Sequence, residues 1–91
     1  MKKQMYSVMD KASSAFCQPF YVNTQAQALQ VIKEEIMNER SRLNKFPGDY
    51  DVYYVGEFDD ISGTVNGLKS PTMIATCIAL KNSMERPEEK E

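Results

Sequence analysis

"FPGDYDVYYVGEFDDISGTVNG", Phe46 to Gly67, is the stretch whose reading decides the fold. Pro47 and Gly48 stop a preceding helix and turn the chain. The next ten residues are rich in aromatic and β-branched side chains and read as a strand. With a period of two, Tyr50, Val52, Tyr54 and Phe58 form its core face, while Asp51, Tyr53, Val55 and Glu57 form the opposite face. "DDISG" then supplies a turn, because aspartates hydrogen-bond local amides and Gly63 can take a positive φ. "TV" returns from it as a short strand. A calcium loop built on Asp59, Asp60 and Ser62 fails, since the bidentate glutamate needed at its twelfth position is absent.

Upstream, "KQMYSVM" (3–9) alternates and reads as a strand with Met5, Ser7 and Met9 on one face and Tyr6 and Val8 on the other; the alternation alone leaves open which face is buried. "DKASSAF" is a polar connection. "PFYV" (Pro19 to Val22) reads as an edge or hairpin partner strand, opened by a proline. Asn23 or Thr24 can cap the helix in "QAQALQVIKEEIMNER", whose apolar arc is Ala28, Leu29, Ile32, Ile36 and Leu43. Lys33 and Arg40 sit at the edge of that arc, and Glu34 and Glu35 face away. "PTMIATCIALKN" fits a short helix with Met73, Ile74, Cys77 and Ile78 on one face better than it fits a strand. The expected architecture is one small α+β domain over residues 1–84, in strand-strand-helix-strand order with a short C-terminal segment. Its helix packs on a mainly antiparallel sheet. An acidic tail over residues 85–91 has no apolar anchor and is expected to be disordered.

Composition narrows the function. With 91 residues the chain has material for one modest core. No apolar run is long enough for a membrane span, and the start lacks the pattern of a secretory signal, so a cytosolic protein with no membrane partner is expected. Cys17 and Cys77 stand far apart, and there is no histidine, so no metal site is expected. Both cysteines read as reduced and mostly buried thiols. The net charge of −2 hides a polarity: residues 1–45 carry +3, residues 46–84 carry −3 and the tail −2. A basic first half hints weakly at a polyanion partner. No phosphate loop, no histidine base and no carboxylate pair with a raised pKa is in sight, which argues against an enzyme and against any cofactor. Asp59 with Asp60 is turn chemistry. Binding remains, by exposed rings and by the early lysines.

The order of motifs resembles a known family. "MYSVMDKASSAFCQPFYVNTQAQAL", "KFPGDYDVYYVGEFDDISG" and "LKSPTMIATCIALK" are similar to the small nonstructural protein of gokushoviruses, single-stranded DNA bacteriophages of the microvirus family, over roughly Met5 to Lys81. The features that carry it are "YSVMDK" with "PF" a few residues on, "P-x-D-Y" followed by "VGEFDD", and "SPT". The resemblance implies a nonstructural protein of the host bacterial cytoplasm. It also implies DNA binding and an analogue of the microvirus protein C, which is associated with the switch to synthesis and packaging of single-stranded genomes. Relatives tend to carry a proline near the position of Arg40. Its absence here suggests a helix that runs further.

Two functions follow from these residues. In the first, single-stranded DNA, or the replication and packaging complex, is bound by bases stacked on Tyr21 and Tyr53, with Lys2, Lys3, Lys11 and Arg40 at phosphates. Asp51 and Glu57, expected beside Tyr53 on the same face, oppose it. In the second, Tyr53 and Val55 anchor an interface of a homo-oligomer or adaptor, with the acids at its rim. The remaining alternative is a two-sided sheet whose second face is covered by the C-terminal segment. A homo-oligomer is expected because one helix cannot cover both faces.

Overall fold

In the computed structural model, residues 1–85 are described; the tail expected over 85–91 lies, from residue 86 on, outside them. The chain runs β1 (Lys2–Asp10), β2 (Ala15–Phe16), β3 (Phe20–Val22), α1 (Gln25–Met37), α2 (Arg42–Lys45), a single 3-10 turn (Pro47–Asp49), β4 (Tyr50–Asp59), β5 (Thr64–Thr76) and α3 (Cys77–Glu85). These elements form a curled antiparallel sheet with helices, an α+β fold as the sequence implies. The strand order is β2-β1-β4-β5, and β3 joins the same edge of β1 as β2. Two short strands thus share one edge of the longer β1, an arrangement that fits the proline between them.

The core lies between one sheet face and the helices. Val8 and Val52 meet Ile32 and Ile36 of α1, Tyr50 and Cys77, with Phe20, Leu43, Ile74, Leu80 and Met84 packed around them. Ile32 and Ile36 are buried, whereas Glu34 and Glu35 are exposed, so the helix phase read from the sequence holds. Thr24 is the cap, accepting from Gln27 N at 3.2 Å, and the Gln27 side chain returns to accept from Asn23 N at 2.8 Å. One orphan amide of the first turn, Gln27 N, and the amide just before the cap, Asn23 N, are satisfied this way.

Four expectations fail. The helix does not run on through Arg40: α1 ends at Met37, and Asn38 turns to an extended backbone with its N–H on Glu35 O. Ser41 then caps α2 by accepting from Leu43 N at 3.1 Å. Leu43 reaches the core, but from α2, and Arg40 lies exposed in the connection. The segment 72–82 is not one helix. It is strand as far as Thr76 and helix from Cys77, because pairing with β4 continues to Asp51↔Thr76. The return strand after the turn is correspondingly thirteen residues long rather than two. Cys17 is exposed, although Cys77 is fully buried, and both are free thiols.

The fourth failure concerns the opening stretch. β4 pairs regularly with β1 from Asp10↔Tyr50 to Tyr6↔Tyr54, and then Met5 faces Gly56. Val55 is the extra residue of a β-bulge, so the alternation of sides shifts by one beyond it. Phe58, expected on the core face, comes opposite Lys3 on the face away from the helices, and Glu57 comes opposite Gln4 on the helix side. Gly56 permits the bulge through close approach. A Cβ there would collide with the Asn66 carbonyl oxygen and lie 2.9 Å from Gly67 Cα. In the turn, Gly63 takes φ +75° as the sequence suggests.

Candidate nucleic-acid interface

The sheet face away from the helices carries Met5, Ser7 and Met9 of β1. By cross-strand register it also carries Phe16, Tyr21, Tyr53, Phe58, Val65 and Met73. Met5 and Ser7, in the central strand, are nevertheless buried, and Ser7 Oγ donates to Cys17 O at 2.6 Å. Around them lie two ring pairs. Tyr21 and Phe58 have centroids 5.4 Å apart at 49°, and Phe16 and Tyr53 lie 5.3 Å apart, edge to face at 82°. Such tilted and T-shaped pairs satisfy the ring quadrupoles. Phe16, Tyr21, Val65 and Met73 are all exposed. Tyr21 is opposite Met5 and Tyr53 opposite Ser7, so the two rings are offset by two β1 residues, about 7 Å along the strand.

The charges expected to serve this face are dispersed. Lys2 and Lys3 stand at one end of β1 and Lys11 just past the other, roughly 26 Å from Lys3 by strand rise, which is well beyond a Debye length. Lys2 pairs with Glu57 at 3.9 Å and Lys11 with Asp51 at 3.7 Å, while Lys3 donates to Asn23 Oδ1 at 3.3 Å. Among the described residues Lys3 is therefore the member of this trio with no carboxylate partner. Arg40 joins none of them: it follows α1, and its backbone N–H donates to Asn38 Oδ1. Of the expected binding residues the structure brings together Lys3 and Tyr21, with Tyr53 further along the same face and Lys11 beyond it, whereas Lys2 alternates to the helix side with Glu57. Val55 sits half-buried in the bulge, outside the alternation that placed it beside Tyr53.

Of the two acids that argued against an anionic ligand, one changes face and the other is buried. Glu57 is moved to the helix side by the bulge, and Asp51, though on Tyr53's face, is 7% exposed and paired with Lys11. Asp51 Oδ1 has no hydrogen-bond partner among the described residues, and nothing in the structure explains it. Burial, reinforced by the Asp51 charge and opposed by Lys11, pushes the Cys77 thiol up to about 12. A thiol held protonated in this way is inert. Cys17 is also raised, by burial and then by Asp10. Asp59 is lowered, chiefly by the hydrogen bond from Ile61 N at 3.0 Å, and it organises the β4–β5 turn rather than a metal site. No cluster of three metal-ligating side chains occurs among the described residues, and no helix there is long and apolar enough to cross a membrane.

The sequence reading missed Phe16 and Phe58 as partners of the two tyrosines. "VG" after paired tyrosines hints at a bulge, since glycine within a strand often marks one, but its register is fixed only by β1 and β5. No curated protein and no solved structure matches the chain. A family model described as "Phage ORF5 protein" matches residues 3–80, from the start of β1 into α3 and across every residue of the aromatic face, and the chain belongs to that phage protein family.

Proposed function

We propose that this phage protein is a non-enzymatic nonstructural protein of the gokushovirus type. In this reading it binds single-stranded DNA in the host cytoplasm, alone or within the replication and packaging complex, at the switch to single-stranded genome synthesis. The observation that carries the reading is the helix-free sheet face with two ring pairs, from which the bulge has removed Glu57. An open sheet with aromatic rings is a platform on which unpaired bases stack, at about 1–3 kcal/mol per base. Stacking would supply most of the affinity, because Lys2 and Lys11 are already compensated by acids.

Anisotropy titration of labelled single- and double-stranded oligonucleotides over a salt series tests it. Single strands should bind more tightly, with a log–log salt slope of only about −1 to −2, since each phosphate contact on a single strand adds roughly −0.7. Tyr21→Ala should weaken binding by about fivefold or more. Absence of binding at low ionic strength by folded protein would remove the reading.

Met73, 51% exposed and opposite Tyr53, favours a second reading, in which the same face is an interface of a homo-oligomer or an adaptor for another phage or host protein. Light scattering distinguishes the two: Tyr53→Ala then shifts the protein toward monomer and changes oligonucleotide binding only through assembly.

A further inference from the structure

Next to Tyr21, where β3 passes into α1, lies an open groove of about 410 Å³. That volume falls within the roughly 300–1,000 Å³ usual for small-ligand sites. Its lining is chemically mixed. The half-exposed Tyr21 ring forms one wall, Lys3 and Asn23 one end, and Gln27, Gln30 and Glu34 of α1 the other wall. The last three are spaced i, i+3, i+7 and therefore project from one helical face. Hydrogen bonds set the polarity of the groove. Lys3 Nζ donates to Asn23 Oδ1, Gln27 Oε1 accepts from Asn23 N, and Gln30 Nε2 donates to Glu34 Oε2 at 3.3 Å. Gln27 Nε2 has no partner among the described residues. One end of the groove thus carries an ammonium with no carboxylate partner, and the other a carboxylate steadied by an amide.

Resting on the single-strand reading above, we infer that this groove takes one nucleotide of the strand, with its base on Tyr21, its polar edge against Gln27, Gln30 and Glu34, and its phosphate at Lys3. Carboxamides match heterocycle edges because each offers donor and acceptor together, and a carboxylate only accepts. Glu34 accordingly favours a base that presents an exocyclic amine, adenine or cytosine, over thymine, which presents O4 in that position. The carboxylate also repels phosphate from its own end, so the nucleotide enters in one orientation. Phe58, packed against Tyr21, fixes that ring and links the groove to the aromatic face.

Anisotropy titration of the full chain with short oligo-dA, oligo-dC and oligo-dT at low ionic strength is the test. Oligo-dA and oligo-dC should bind about fivefold tighter than oligo-dT, the low end of what one good edge contact gives. Glu34→Gln, at an exposed position that leaves the fold intact, should bring the three affinities within about twofold, because the added amide donor can serve thymine O4. Lys3→Gln should weaken all three and flatten the salt slope by about 0.7. Equal affinities in the unchanged protein, or a base preference unaffected by Glu34→Gln, overturn the groove while leaving single-strand binding in place. Failure of every oligonucleotide to bind overturns the parent reading and the groove with it.

Discussion

Replacing Gly56 by alanine tests the bulge on which the placement of Phe58 and Glu57 depends. The added methyl would collide with the Asn66 carbonyl oxygen and lie 2.9 Å from Gly67 Cα, both backbone atoms of β5. No side chain can rotate away, so the β4–β5 ladder must move. Forcing one extra methyl into such a contact costs about 1–3 kcal/mol. A domain of this size holds roughly 5–15 kcal/mol in all and shifts by about 4–8 °C per kcal/mol. Gly56→Ala should therefore lower the melting temperature by about 5–20 °C, followed by circular dichroism. Gly48→Ala is the internal control, since nothing lies within 4 Å of a Cβ built there. It should stay within about 0.5 kcal/mol of the parent. Equal melting temperatures for the two variants would refute the bulge register.

The helix phase, the thiols and the turn each offer a separate check. Ile36→Ala, at 1% exposure in the centre of the core, should cost about 2–5 kcal/mol in denaturant unfolding, against less than about 0.5 for Glu35→Ala. In native protein a disulfide reagent should label Cys17 alone, and Cys77 should react only after unfolding; rapid native labelling of Cys77 would contradict its burial and its raised pKa. Because the Asp59 carboxyl is lowered from its ordinary value of 3.8, its contribution is present above that pH and lost as pH falls through the folded-state value. An NMR titration should place its midpoint below 3.8, and Asp59→Asn should flatten the acid limb of the stability curve.

What could be read in the sequence was what local chemistry fixes. The Ile32–Ile36 stripe, the Thr24 cap, the Gly63 turn and the first half of β4 depend on periodicity and on side chains that reach their own backbone. The misreadings came where local signals were balanced and pairing decided. "ERSRL" carries no strong breaker, yet the caps at Asn38 and Ser41 divide α1 from α2. "PTMIATCIALK" contains apolar residues at spacings that suit a helix, but β4 offers a continuing ladder as far as Thr76, and backbone hydrogen bonds to a strand already in place outweigh a weak propensity. Of the candidate site, Tyr21, Tyr53 and Lys3 were legible as residue types. Their neighbours Phe58, Phe16, Gln27 and Gln30 were not, because each arrives from another element.

The bulge is what joins fold to site. Without the extra residue at Val55, period two would run unbroken along β4. Phe58 would then turn toward the helices and Glu57 toward Tyr21 and Met5. A carboxylate would occupy the face, Tyr21 would lose its ring partner, and the core would have to accommodate a phenylalanine beyond Tyr54. One inserted residue instead exchanges the two side chains, leaving Glu57 beside Lys2 and Phe58 beside Tyr21 at the mouth of the groove. The close passage of β5 at Gly67 then restricts position 56 to glycine. The same backbone irregularity that defeats the alternating reading of "YYVGEF" is thus the feature that keeps the Glu57 carboxylate off the aromatic face, and a variant that restores regular pairing should separate Phe58 from Tyr21 before it loses the fold.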